Sequence, residues 1–126
     1  MRRVASAVLA AAAMLPTVVG ARTDNPETAP ELSVHRGGIV FMHYCVNCHG
    51  LTADGNGRMA KLYNPRPANL VTSDKNDAYK ELIIRRGGGA IGRSNFMPPW
   101  GEELTNEQIK DVIAFLRLIQ KPPAQN

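Results

Sequence analysis

The chain has 126 residues, with fifteen basic and eleven acidic side chains, two cysteines, and only three Tyr, three Phe and one Trp. This length allows one domain with a modest core, and a chain with so few bulky apolar residues often has help in filling its core, of which a cofactor is one form. The small charge excess provides no clustered basic face, so we expect no nucleic-acid partner.

Residues 1–21 have the features of a cleaved export signal. Arg2 and Arg3 precede a short apolar run, and the small residues that end at Ala21 predict cleavage there. The run is shorter than the roughly 20 residues that cross a membrane, and Pro16 interrupts it. We therefore expect export to the periplasm with no permanent membrane anchor, in preference to a retained anchor.

The mature chain divides into three parts. Residues 22–32 predict a flexible N-terminal arm, residues 33–121 a single domain, and residues 122–126 a C-terminal tail. Without the two arginines of the signal, thirteen basic residues oppose eleven acidic ones, a net charge of +2. The excess is local, because residues 58–93 contain eight basic residues and three acidic ones. This segment is either a solvated surface or a docking face.

The stretch YCVNCHG contains both cysteines, Cys45 and Cys48, followed directly by His49. Three kinds of site are candidates: a redox dithiol, a zinc site and a covalently attached haem. A thioredoxin-like dithiol needs a preceding strand, which the residues before Cys45 do not predict. A structural zinc site needs four protein ligands, and no second pair of ligands follows the motif.

Haem attachment uses all three residues. On a helix, positions 45, 48 and 49 share one face, so two thioethers can hold the porphyrin while His49 ligates the iron. C-x-x-C-H is the attachment signature of c-type haem. We therefore predict one covalently bound haem c on Cys45 and Cys48, with His49 as an axial iron ligand.

Two downstream methionines are candidates for the opposite axial position. Met59 lies in a Gly-rich loop, and Met97 lies in the segment NFMPPWG. The two prolines favour a stiff, extended loop, which suits holding a thioether on iron in an apolar pocket. We predict Met97 as the ligand, with Phe96 and Trp100 lining the haem pocket.

The helical pattern begins before the cysteines. Glycines at positions 37 and 38 are expected to let the closing helix cross closely, with Phe41 packed near Phe115. His35 and His43 are interpreted as surface or packing residues, because His43 lies too close to Cys45 to reach the opposite haem face.

Two further helices are predicted. The middle helix runs from about residue 74 to 86, buries Tyr79, Leu82 and Ile83, and stops at Gly87. The closing helix begins after Thr105, which forms a capping box with Gln108, and an apolar face follows at positions 109, 112, 113, 116 and 119. No convincing strand appears.

Taken together, four segments resemble the monohaem class I c-type cytochromes. They are GIVFMHYCVNCHG, the proline loop NPRPANL, the methionine loop FMPPW and the closing segment LTNEQIKDVIAFLRLI. The resemblance implies an all-α fold of about three main helices wrapped around the haem, without a significant sheet. It also implies that a backbone carbonyl of the proline loop, at Pro65 or Pro67, accepts a hydrogen bond from His49, which places both prolines at the haem pocket.

A haem with both axial positions filled favours electron transfer over catalysis. The first hypothesis is a one-electron carrier between periplasmic or membrane redox partners. The alternative is a tightly bound haem subunit of an exported oxidoreductase such as a dehydrogenase, and a third is a haem enzyme or gas sensor with a labile Met97. The protein is expected as a monomer or as a subunit of a redox complex. Arg85, Arg86 and Arg93 precede the methionine loop and predict an acidic docking surface on the partner.

Overall fold

The computed structural model describes residues 28–121, and within that range the chain is helical and contains no strand. The four helices are α1 (Thr28–Tyr44), α2 (Val46–His49), α3 (Asp77–Arg86) and α4 (Asn106–Ile119), with two 3-10 turns at Ala60–Leu62 and Gly89–Ile91. The predicted all-α architecture is confirmed.

The export signal, the first six residues of the arm and the C-terminal tail lie outside the described residues. In the described part, no helix is both long and apolar enough to cross a membrane.

The packing of α1 on α4 forms the centre of the fold. A Cβ atom at Gly37 would overlap the backbone carbonyl of Asp111, so the two helices touch through bare backbone at this point. The Phe41 and Phe115 rings pack alongside, with centroids 5.3 Å apart. At Gly38 the nearest atom to an added Cβ is 3.5 Å away, which is ordinary contact. The expected close crossing is therefore confirmed for Gly37 but wrong for Gly38.

α1 starts at Thr28, so residues 28–32 are helical rather than part of the expected arm. Long-range contacts hold the turns that follow these residues. Ser33 donates to the buried Asp111 carboxylate at 2.5 Å, and Arg36 binds the same carboxylate at 2.6 Å. Because Asp111 lies on α4, these bonds anchor the first turns of α1 to a helix about 75 residues away in sequence.

α3 begins three residues later than predicted. Asn76 is its N-cap and accepts a hydrogen bond from the Tyr79 N–H, and the helix ends at Gly87 with φ +75°, as predicted. The buried positions are Lys80 and Ile84, one turn apart. Tyr79 and Ile83 are only partly buried, and Leu82 is exposed, so the predicted burial of Leu82 is wrong.

The capping box at the start of α4 is confirmed, with Gln108 N–H donating to Thr105 Oγ1 at 3.1 Å and Thr105 N–H donating to Gln108 Oε1 at 2.9 Å. The apolar face of α4 supplies much of the core, whose buried members on this helix are Ile109, Val112, Ile113 and Leu116. These residues bury α4 against both α1 and α3.

The C-terminal end of α4 holds the segment that follows the proline loop. The buried Lys80 donates from Nζ to Gln120 Oε1 at 2.7 Å, and the Lys121 N–H donates to the Val71 carbonyl at 2.8 Å. Arg117 pairs with Asp77 at the start of α3. These contacts fix residues 71–80, and with them the chain that leaves the proline loop.

Candidate haem site

The helical backbone passes through the cysteine motif almost without interruption. Cys45 N–H donates to the Phe41 carbonyl at 2.9 Å, and His49 N–H donates to the Cys45 carbonyl at 2.9 Å. The predicted helical arrangement is confirmed, and it places Cys45, Cys48 and His49 on one face at the end of the α1–α2 segment.

The Gly-rich loop after the motif covers the exposed end of α2. Gly55 N–H donates to the His49 carbonyl at 2.8 Å, and Gly57 N–H donates to the Cys48 carbonyl at 3.1 Å. A side chain at Gly57 would overlap the Asn47 carbonyl. The loop therefore satisfies carbonyl groups that the end of a helix leaves without partners, and it needs glycine to come close enough.

The His49 ring is buried and held in one orientation. Its Nδ1 lies 3.0 Å from the Ala68 carbonyl oxygen. A carbonyl can only accept, so Nδ1 carries the hydrogen and Nε2 keeps its lone pair. Burial lowers the pKa of His49, although the bond to Ala68 opposes that shift. The result is a neutral imidazole with one free nitrogen, the form that binds a metal ion.

The carbonyl that faces His49 belongs to Ala68, so the expectation of Pro65 or Pro67 is wrong. The Pro67 carbonyl lies against Gly55, where an added Cβ would be 2.5 Å from the Pro67 oxygen. Gly55 also has φ +85°, a conformation that favours glycine. Gly55 thus allows the approach of the proline loop that brings the Ala68 oxygen to His49.

Both cysteines are partly buried, and no disulfide joins them. Burial, with a smaller contribution from Cys48, raises the pKa of Cys45 to about 12. Within residues 28–121, no three His, Cys, Asp or Glu side chains come together as a metal-binding cluster. Two thiols and a neutral imidazole on one helix face match the donor set of a c-type haem.

Backbone hydrogen bonds tie the Met97 loop to the end of α3. Gly88 N–H donates to the Met97 carbonyl at 2.9 Å, and Trp100 N–H donates to the Ile84 carbonyl at 2.8 Å. At Gly87 an added Cβ would lie 2.9 Å from the Met97 oxygen. The glycines after α3 therefore let the Met97 loop pack closely against the end of this helix. The Met97 side chain packs against the hydrophobic core.

The other predicted pocket residues occupy different environments. Trp100 packs against the core, with its ring 5.2 Å from that of Tyr44 in an edge-to-face arrangement. Phe96 is half exposed and stacks on Tyr63 at 4.9 Å between centroids. Met59 is 39% exposed and does not belong to the buried core cluster. The histidines at positions 35 and 43 are exposed, as expected.

A family model described as cytochrome C oxidase, cbb3-type, subunit III matches residues 33–116. The chain belongs to this family of c-type cytochromes. The cytochrome also resembles a chain of the reducing HAO-like protein complex of Kuenenia stuttgartiensis, with 27% identity and a TM-score of 0.56. That match covers 68% of this chain and 41% of the other, so the cytochrome spans less than half of its structural relative. No curated protein matches the sequence.

The family match shows a cytochrome c domain, which implies covalently bound haem c. Sequence reasoning missed three contributors to the site of this cytochrome: the Ala68 carbonyl, Gly55 and the Gly87–Gly88 pair. The glycines were visible in the sequence, but only the contacts show which of them a side chain would obstruct. For Ala68 the sequence carried no signal, because the acceptor is a backbone oxygen that any residue provides.

Proposed function

We propose that the cytochrome is an exported one-electron carrier with a single haem c. The haem is attached through Cys45 and Cys48, and His49 and Met97 are its axial iron ligands. The observation that carries this proposal is the buried His49, whose ring is held by the Ala68 carbonyl on the same helix face as both cysteines. When bound, the haem supplies an iron that gains and loses one electron.

The chain contributes orientation and electronic tuning on the His49 side. The Ala68 carbonyl holds the imidazole in one tautomer and increases its basicity as a ligand. The Gly-rich loop bonds to the carbonyls of Cys48 and His49, which limits movement of the motif. A rigid ligand needs little rearrangement when the iron changes charge, as a carrier requires.

Met97 is favoured over Met59 as the opposite ligand. Its side chain packs against the core that Cys45 also contacts, and its backbone is bonded to Gly88. A thioether in this position raises the potential, and it leaves no open coordination site for oxygen or peroxide. Outer-sphere electron transfer then remains the reaction that the protein supports.

Docking is proposed to be transient and steered by local charge. With two haem propionates set against the net +2, the mature holoprotein is close to neutral, so steering must come from local asymmetry. Arg85 is neutralised by Glu81 at 2.8 Å. Arg86 and Arg93 are exposed, and the Arg93 side chain donates from Nε to the Tyr79 hydroxyl. We therefore propose an acidic docking surface on the redox partner, facing Arg86 and Arg93.

Mass analysis of the protein recovered from the periplasm tests attachment and export together. We expect a chain that starts at Arg22 and carries one haem that survives acid acetone. The variant with both Cys45→Ala and Cys48→Ala should release its haem under the same treatment. Extraction of free haem from the wild-type protein would contradict the proposal.

A second candidate function is a haem subunit held permanently in an oxidoreductase complex. It is favoured by the structural relative, which belongs to a protein complex and whose chain is more than twice the matched length. Size-exclusion chromatography of a native extract separates the two candidates. A carrier elutes without a large partner, whereas a subunit elutes with the enzyme.

A further inference from the structure

The solvent side of α1, continued by Val46 at the start of α2, carries a stripe of apolar residues and one histidine, of which only Val46 also packs against the core. Its residues repeat at intervals of three and four positions, and we call them the outer stripe: Leu32, His35, Ile39, Met42 and Val46. Leu32, Ile39 and Met42 are each about half exposed. α1 is thus apolar on two faces, since the opposite face packs on α4 through Val40 and Phe41. Apolar residues on both faces are typical of a helix that is covered on both sides.

Two hollows accompany the outer stripe. One, of about 470 Å³, lies beside Gly38 and is bounded by Ile39, Met42 and Phe115. The other, of about 500 Å³, continues past Met42 to Leu51 and Arg58. Met42 borders both hollows, so they lie next to one another on this residue.

Gly38 has no evident role inside the subunit. An added Cβ would meet only Phe115, at 3.5 Å, so alanine fits the fold and is the better helix former. The neighbouring Gly37 differs, because there the backbone of α4 leaves no room. A glycine that the fold does not need, placed beside the hollow, leaves space for a side chain from outside.

The chemistry of the stripe selects the kind of partner. The stripe and the lining of the hollow beside Gly38 contain no Asp, Glu, Lys or Arg, whereas Asp54 and Arg58 line the second hollow. An electrostatically steered redox partner is therefore a poor match for this surface. The heptad spacing of the stripe instead matches a second helix with the same spacing. The apolar side chains of that second helix would fit into the gaps between the side chains of the stripe.

We propose that the outer stripe is the interface of a homodimer in which α1 pairs with α1 of a second copy in antiparallel orientation. A two-fold interface needs the same patch on both copies, and this stripe provides it. The stripe spans about 21 Å along the helix. In an antiparallel register Ile39 faces Met42 of the second copy, and the hollow beside Gly38 receives an apolar side chain of that copy.

Charges at the ends of the stripe agree with the antiparallel orientation. Glu31 is exposed next to Leu32 at one end. At the other end Arg58 donates to Asn47, adjacent to Val46. Antiparallel pairing brings Glu31 of each copy toward Arg58 of the other, so opposite charges meet twice by symmetry. A parallel pair would place like charges side by side.

Sedimentation velocity of the haem-loaded protein over about 1–100 µM tests the proposal. We expect a monomer–dimer equilibrium in the wild-type protein. Ile39→Lys should weaken self-association at least tenfold, with the absorption spectrum and potential unchanged. Gly38→Ala should raise the melting temperature of the monomer and weaken the dimer, because the new methyl group occupies the hollow.

Leu82→Lys is the matched control, because it also adds a charge at a half-exposed leucine, on a helix that packs against α4 and not against α1 among the described residues. It should leave association unchanged. A wild-type protein that remains monomeric throughout the range would overturn the proposal and leave the stripe to a different protein. Equal weakening by Leu82→Lys, or undiminished dimerisation of Ile39→Lys or Gly38→Ala, would also overturn it. None of these outcomes depends on the identity of the iron ligands.

Discussion

Replacing Gly37 with alanine should destabilise the protein, although alanine is the better helix former. The added Cβ overlaps the backbone carbonyl of Asp111, and it also comes within 2.9 Å of Phe115 Cβ. A backbone carbonyl in α4 cannot rotate away, so α1 and α4 must separate. Overpacking of this kind costs about 3 kcal/mol at the upper end of its usual range. The gain in helix propensity offsets about 1 kcal/mol, which leaves a net loss of about 2 kcal/mol.

Gly38→Ala is the matched control, because it makes the same chemical change one residue later. There the added Cβ has only ordinary contact with Phe115. Only the gain in helix propensity then acts, and the free energy of unfolding should rise by about 1 kcal/mol. Urea unfolding of the haem-loaded protein, at a concentration low enough to keep it monomeric, measures both effects. The two variants should differ by about 3 kcal/mol in opposite directions. Equal changes would refute the assignment of the close helix crossing to Gly37.

Two other predictions concern charged groups. The Arg36 guanidinium, with a hydrogen bond from Ser33, holds the pKa of the Asp111 carboxyl below its usual range. The ionised Asp111 carboxylate therefore stabilises the fold fully above its unfolded-state pKa of about 3.9. This stabilisation is lost as the pH falls through the lower pKa that Asp111 has in the folded protein. Acid unfolding should therefore be steeper below about pH 4 in the wild type than in Asp111→Asn, and equal slopes would contradict the role of the ion pair. Stopped-flow kinetics with an acidic redox partner should show that changing Arg86 and Arg93 to Gln slows association several-fold at low salt and flattens its salt dependence. Arg85→Gln should have a smaller effect, since Glu81 already neutralises that arginine, and an equal effect would contradict the assignment.

The parts of the fold that short-range sequence rules govern could be predicted. The capping box of α4 depends on Thr105 and Gln108, three residues apart, and the end of α3 depends on Gly87. The helical cysteine motif was likewise predictable, because its residues lie within one turn. Each of these features needs no knowledge of the rest of the chain.

Features that depend on distant contacts could not be predicted. The first turns of α1 are stabilised by Asp111, which the sequence separates from Ser33 by 78 positions. The buried face of α3 was misjudged because Leu82, Ile83 and Ile84 are adjacent, and only the position of α4 decides that Ile84 points inward.

The His49 partner was missed for a related reason. Family resemblance directed attention to the prolines of NPRPANL, yet the acceptor is the carbonyl of Ala68. The path of the proline loop decides which backbone carbonyl reaches His49. Gly55 determines how closely the proline loop can approach the loop that follows the cysteine motif. Composition carries no information on such a contact.

Met97 and His49 are proposed to fill both axial positions of one haem, and the absorption spectrum of the oxidised protein tests this ligation. Met97→Ala should abolish the weak long-wavelength band that arises from sulfur-to-iron charge transfer, and the reduction potential should fall because the thioether is lost. Met59→Ala is the matched control and should keep both the band and the potential, since the Met59 side chain is partly exposed and outside the core. Loss of the band in Met59→Ala with its retention in Met97→Ala would contradict the proposed ligation.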